Sequence, residues 1–208
     1  MMMKDKLKFK KLLNEFRSLE YEYEYNNELL KEMHEHFQCF SLKWCEENGV
    51  DLEKLKEEQK KQVQNIFQNH DKQHAEMHGR FETNKKKTKH KEVFKSVAKK
   101  MHPDVVGEES PEYDELKQAF QKAVGALEAE QWGELFDVVE KYDIDIPNYE
   151  EANGSLDKDI ERMHEKIKNQ KNTYSWLLES CEDNQDCKDL VIKTFLGHVY
   201  DWTNEPSA

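Results

Sequence analysis

Apolar residues in the first quarter of the chain recur at alternating steps of three and four: Phe9, Leu12, Phe16, Leu19, Tyr23, then Leu30, Met33, Phe37, Phe40 and Trp44. That spacing keeps one stripe on one face of a slightly under-wound helix, the pattern of a coiled-coil seam. Asn26 is the one polar residue in the row, where a buried amide can fix register. Asn48-Gly49 predicts the helix end, and Asp51 with Glu53 in the following turn predicts a new start. A second helix is expected from about Leu52 to about Phe81, with Val63, Ile66, Phe67, His70, His74, Met77 and Phe81 on its face. The short turn between two long amphipathic helices favours an antiparallel hairpin in which the two seams bury each other.

Residues 83–88 are polar and read as a loop. A helix is expected over 89–101, with Phe94, Val97, Ala98 and Met101 inward, ended by Pro103. Ser110-Pro111 predicts the next start, with Tyr113, Leu116, Phe120, Ala123, Val124 and Leu127 inward. A short helix follows over 131–142 with Leu135, Phe136 and Val139 inward. Residues 144–154, with Pro147 and Gly154, read as a linker. Ser155 then caps a stripe running from Leu156 through Ile160, Met163 and Ile167 to Tyr174, Leu177 and Leu178. After the polar turn 181–187 comes a last helix bearing Leu190, Val191, Phe195, Leu196, Val199 and Trp202. The expectation is an all-α protein: a long helical hairpin over 1–82, a shorter helical pair over 83–146, and a linker with a helical hairpin over 147–208 that packs back on the first.

Composition agrees with thin helical layers. Of 208 residues, 36 % are hydrophobic and 37 % charged, and only seven are Gly and four Pro, which argues against a many-stranded sandwich. The net charge of −12 disfavours a general nucleic-acid or anionic-membrane binder. No apolar run reaches the roughly 18 residues of a membrane span, and the Lys-rich start lacks the apolar core of a secretory signal. Cys39, Cys45, Cys181 and Cys187 are few enough to suit a reduced, cytoplasmic protein.

Charge changes the picture in one place. Lys85 to Lys100 contains eight Lys and one acidic residue, Glu92, inside an otherwise acidic chain. On the helix expected there, Lys91, Lys95 and Lys99 share a face neighbouring the apolar one, in line with His102, a ridge that would steer an acidic protein surface toward it. His102-Pro103-Asp104 follows at the helix end, where proline constrains the turn that projects both flanking side chains.

KHKEVFKSVAKKMHPD (89–104) and YDELKQAFQKAVGAL (113–127) resemble the second helix, His-Pro-Asp loop and third helix of the J-domain family of DnaJ-type co-chaperones. Ala123 and Leu127 match the end of that third helix, with Val124 in place of the usual aromatic. EAEQWGELFDVVEKYDI (128–144) is similar to bacterial and phage J-domain proteins, which often carry coiled-coil flanks. The chain departs from the family at Val105-Val106, where a basic residue or Asn usually follows the Asp, and in lacking the first-helix Tyr-x-x-Leu-Gly signature, the Gly/Phe-rich linker and the zinc repeats. The resemblance implies a stimulator of the ATPase of a DnaK-type (seventy-kilodalton heat-shock) chaperone. His102, Pro103 and Asp104 would form the activating loop, and Lys91, Lys95 and Lys99 the electrostatic contact. The flanks would recruit a client or partner protein. No residue of the chain would act on ATP, and neither cofactor nor metal is implied.

Other groupings carry less. His70, His74 and His78 are spaced for adjacent pairs on one helix, but the first two fall on the apolar stripe, which favours packing over metal binding. His34, His36, Cys39 and Cys45 do not share a face. Lys85 to Lys87 lack Arg support and a stacking platform for nucleic acid. The competing reading is a structural or adaptor coiled-coil protein with a degenerate J-like segment. The seam fits closure within one chain as well as a homodimer.

Overall fold

The computed structural model of the chain describes residues 2–61, 90–107 and 109–203, and its regular structure is α-helical throughout. Helix α1 runs Met2–Glu47, uninterrupted by Pro or Gly. It stops where the pattern predicts: Gly49 turns left-handed at φ 70°, and the Val50 N–H donates to the Cys45 carbonyl at 2.8 Å. Glycine makes that bend without a Cβ penalty. Asp51 then accepts from the Lys54 N–H at 3.0 Å and opens α2, helical over 52–61. The continuation expected through Val63, Ile66, Phe67, His70, His74, Met77 and Phe81 lies outside the described residues, as do His78 and Lys85 to Lys87. There follow α3 (Lys91–Met101), α4 (Pro103–Val106), α5 (Tyr113–Glu128), α6 (Trp132–Lys141), α7 (Tyr149–Lys171), α8 (Tyr174–Ser180) and α9 (Gln185–Tyr200).

The chain gathers into two compact units, one from the described residues of Met1–Glu24 and Lys85–Ile167, the other from those of Tyr25–Asn84 and Lys168–Ala208. In the first, the α1 seam is met by α6 and α7. The Phe9 ring stands edge-on to Phe136 at 5.4 Å and to Tyr149 at 5.5 Å. Phe16, Leu13 and Leu19 join the same core, which takes Val97 and Met101 from α3, Leu135 and Val139 from α6 and Leu156 from α7. Gly133 lies so close to α1 that an added Cβ would run into the Phe16 ring, so this contact requires glycine.

In the second unit the later part of the α1 seam packs on α8 and α9, the return of the C-terminal segment that the pattern predicts. Phe37 lies 5.0 Å edge-on to Phe195, and Trp44 stands 6.2 Å from Trp202 while its Nε1–H donates to Asp189. Leu52 and Leu55 of α2 pack on the same cluster. Asn26 is buried and donates to Gln170 Oε1 at 3.2 Å, and Gln170 donates in turn to Asn27 at 2.8 Å. The polar residue in the seam is therefore satisfied within the chain.

Several boundaries differ from the sequence expectation. Helix α7 begins at Tyr149 and runs straight through Gly154, because Asn148 caps it by accepting from the Glu151 N–H at 3.1 Å. Only the residues before Tyr149 are linker, and Ser155 is interior to the helix. Its stripe does not continue to Leu178: Thr173 restarts the chain as α8, its Oγ1 accepting from the Trp176 N–H. Ser110 caps no helix; its hydroxyl accepts from the Glu112 N–H in a turn before α5. Leu190, expected inward, is exposed. The expectation of reduced thiols gives way at one pair. Asn184 caps α9 and folds the turn so that Cys181 and Cys187 lie with Cα atoms 5.6 Å apart, joined by a disulfide. Cys39 and Cys45 are free.

Candidate functional site

Helix α3 divides cleanly into two faces. Val93, Val97 and Met101 are buried, while Lys91, Lys95 and Lys99 are exposed. Residues two positions apart on a helix are separated by 200°, so these rows stand on nearly opposite sides. The three ammonium groups form no ion pair among the described residues. Lys100, by contrast, donates to the Tyr142 carbonyl at the end of α6. That end is fixed to α5: the Tyr142 hydroxyl donates to Glu115 at 2.8 Å and Lys141 reaches the same carboxylate at 3.1 Å. The Glu115 carboxyl is held below its usual range, first by the hydrogen bond from Tyr142 and then by Lys141.

The helix is anchored at its start by His90, which pattern reading passes over. His90 is buried with φ 55°, its Nε2 is 2.9 Å from the Ser155 hydroxyl, and its ring lies edge-on to Trp132 at 4.9 Å and Phe136 at 5.0 Å. A left-handed non-glycine residue persists only where its surroundings over-determine it. Here α6 and α7 do so, and they set where the lysine ridge begins. Nothing local in the sequence signals this, since Ser155 lies 65 residues away.

At the other end the chain turns sharply. His102 leaves the helix with φ −60° and ψ 133°, its N–H still bonded to the Ala98 carbonyl, and Pro103 opens α4 at the first helical position. Proline suits that position because its φ is already helical and no N–H is lost. The His102 carbonyl accepts from Val105 at 2.8 Å and Val106 at 3.1 Å, and its Nδ1 accepts from the Asp104 N–H at 3.2 Å. The His102 ring stands edge-on to Phe120 of α5 at 5.1 Å, and Phe120 stacks on Phe94 of α3 at 6.0 Å. Phe120 thus supports both the basic helix and the corner. The imidazole is 41 % exposed and the Asp104 side chain 89 %. Val105 stands free beside them, 63 % exposed. The structure therefore brings His102, Pro103 and Asp104 together in one exposed corner directly after the three lysines. The arrangement can grip an acidic surface and offer it an imidazole and a carboxylate in fixed relation.

The remaining candidates fall apart in space or are already engaged. His36 pairs with Glu179, His34 lines a half-open cavity of about 440 Å³ in the second unit, Cys39 is exposed and Cys45 buried. Burial pushes the Cys45 thiol above its usual value, with Lys56 opposing. Among the described residues no group of three His, Cys, Asp or Glu could hold a metal ion. None of the described helices is long and apolar enough to cross a membrane. No family model, curated protein or solved structure matches the chain.

Proposed function

We propose that this chain is a J-domain co-chaperone. It docks on a DnaK-type chaperone through Lys91, Lys95 and Lys99 and the His102-Pro103-Asp104 corner, and stimulates that chaperone's ATPase. The single observation behind this reading is the junction of an exposed lysine face with an exposed proline corner, both braced by Phe120. The chain itself performs no chemistry on ATP. Its effect is differential binding: by favouring one conformational state of the chaperone it shifts the partner toward hydrolysis. The helices of the second unit recruit a client or partner protein.

The deciding measurement is single-turnover ATP hydrolysis by a DnaK-type chaperone with and without the full chain. Wild-type protein raises the rate and His102→Gln removes the increase. Equal stimulation by the two, or none by either, would leave the adaptor reading standing instead.

A further inference from the structure

The corner offers a partner none of the backbone donors at the start of α4. Of the first-turn donors of α4, Pro103 has none, the Asp104 N–H is taken by His102 Nδ1, and the Val105 and Val106 N–H groups are taken by the His102 carbonyl. These are the groups a helix start ordinarily leaves open. Of the side-chain groups of His102 and Asp104, what remains outward is the Asp104 carboxylate and the far nitrogen of the imidazole, Nε2, which has no hydrogen-bond partner among the described residues.

The Asp104 N–H can donate only to a lone pair, so an Nδ1 that accepts it carries no proton, and the neutral ring must carry its proton on Nε2. The alternative tautomer would turn an N–H toward Asp104. Its nearest carboxylate oxygen is 3.6 Å from Nδ1, too far for a hydrogen bond. The plane of the ring is set by Phe120, which meets it edge-to-face and is itself stacked on Phe94, and within that plane the Asp104 N–H picks out Nδ1. We infer that the two nitrogens of His102 divide the work: Nδ1 closes the first turn of α4, and Nε2–H is the donor that meets an oxygen acceptor on the partner. The lysines beside it select an acidic surface, so the acceptor is a carboxylate of that surface. The identity of the partner rests on the co-chaperone reading; the tautomer rests on this chain alone.

The two halves are tested separately. In the free full-length protein, ¹⁵N spectra of the labelled imidazole should show a pyridine-like Nδ1 and a pyrrole-like Nε2 for His102; the reverse assignment overturns the inference. His102→Asn keeps an acceptor where Nδ1 stood, and Asn is among the best helix caps, so hydrogen exchange at Asp104 should match wild type to within about twofold. Affinity for the DnaK-type chaperone should nevertheless fall roughly tenfold or more, the effect of losing a hydrogen bond to a charged group. His102→Ala, which removes both nitrogens, should lose the exchange protection as well. Full binding by His102→Asn refutes the donor role. Wild-type protein that binds no chaperone refutes the function reading and the partner-facing half with it, while the nitrogen spectrum still judges the tautomer.

Discussion

Glu20 is a residue whose charge fits its surroundings poorly. It stands on α1, and its carboxyl is raised from 4.5 to about 7, chiefly by burial; Lys122 opposes the shift, and Glu134, Asp137 and Glu24 add to it. Folding therefore favours the protonated form. Stability is fully present below the unfolded value near 4.5 and is lost as pH rises through about 7. Because the group is partly solvated, the loss between pH 5 and pH 8 should be on the order of 1 kcal/mol rather than the full value of the shift. Glu20→Gln should remove this component, so that urea midpoints of wild type and variant coincide near pH 5 and diverge by pH 8 with the variant more stable. A variant less stable at both pH values would show that Glu20 works as an anion in the fold.

Element boundaries show how a contact distant in sequence overrides a local signal. Helix α6 has no cap of its own at Gln131. Its first turn is closed by Asp159 of α7, buried, whose Oδ2 accepts from the Gly133 N–H at 2.7 Å while Arg162 pairs with the same carboxylate. Asp159→Ala removes a cap and strands a buried N–H, and should cost about 2–3 kcal/mol in urea unfolding. Asp159→Asn keeps the acceptor and should recover much of the loss; equal damage from both substitutions would assign the effect to the Arg162 pair instead. The 3–4 seam of α1, the Gly49 stop and the Asp51 start were legible in the sequence because each is a local rule. The capping of α6 was not, since its partner lies 26 residues downstream. Gly154 and Ser155 look like a break and a cap for the same reason. The neighbouring Asn153 side chain donates to the Asp5 carbonyl and Ser155 pairs with His90, so tertiary partners hold the helix through residues of poor propensity. At the corner, Pro103 made the turn legible, whereas the support from Phe120 needed the packing of α5 on α3.

At the scale of the whole molecule, the proposed docking has two parts with different kinetic signatures. The chain carries a net charge of −12, so a partner drawn to the lysine ridge must be guided by a local field against the sign of the rest. Such steering acts on encounter rate and is screened by salt, with a Debye length of about 10 Å at 0.1 M ionic strength. Replacing Lys91, Lys95 and Lys99 together by Gln should leave unfolding stability within about 0.5 kcal/mol, because all three are exposed. The same change should lower the association rate with a DnaK-type chaperone roughly tenfold at low salt and flatten its salt dependence, with dissociation little altered. His102→Asn should do the opposite, speeding dissociation and leaving the salt dependence intact, since a hydrogen bond made after contact is absent from the approach. Stopped-flow association and dissociation at two salt concentrations separates the two. If the lysine variant dissociates faster and associates normally, the ridge forms close contacts instead of a guiding field, and the division between attraction and grip is wrong.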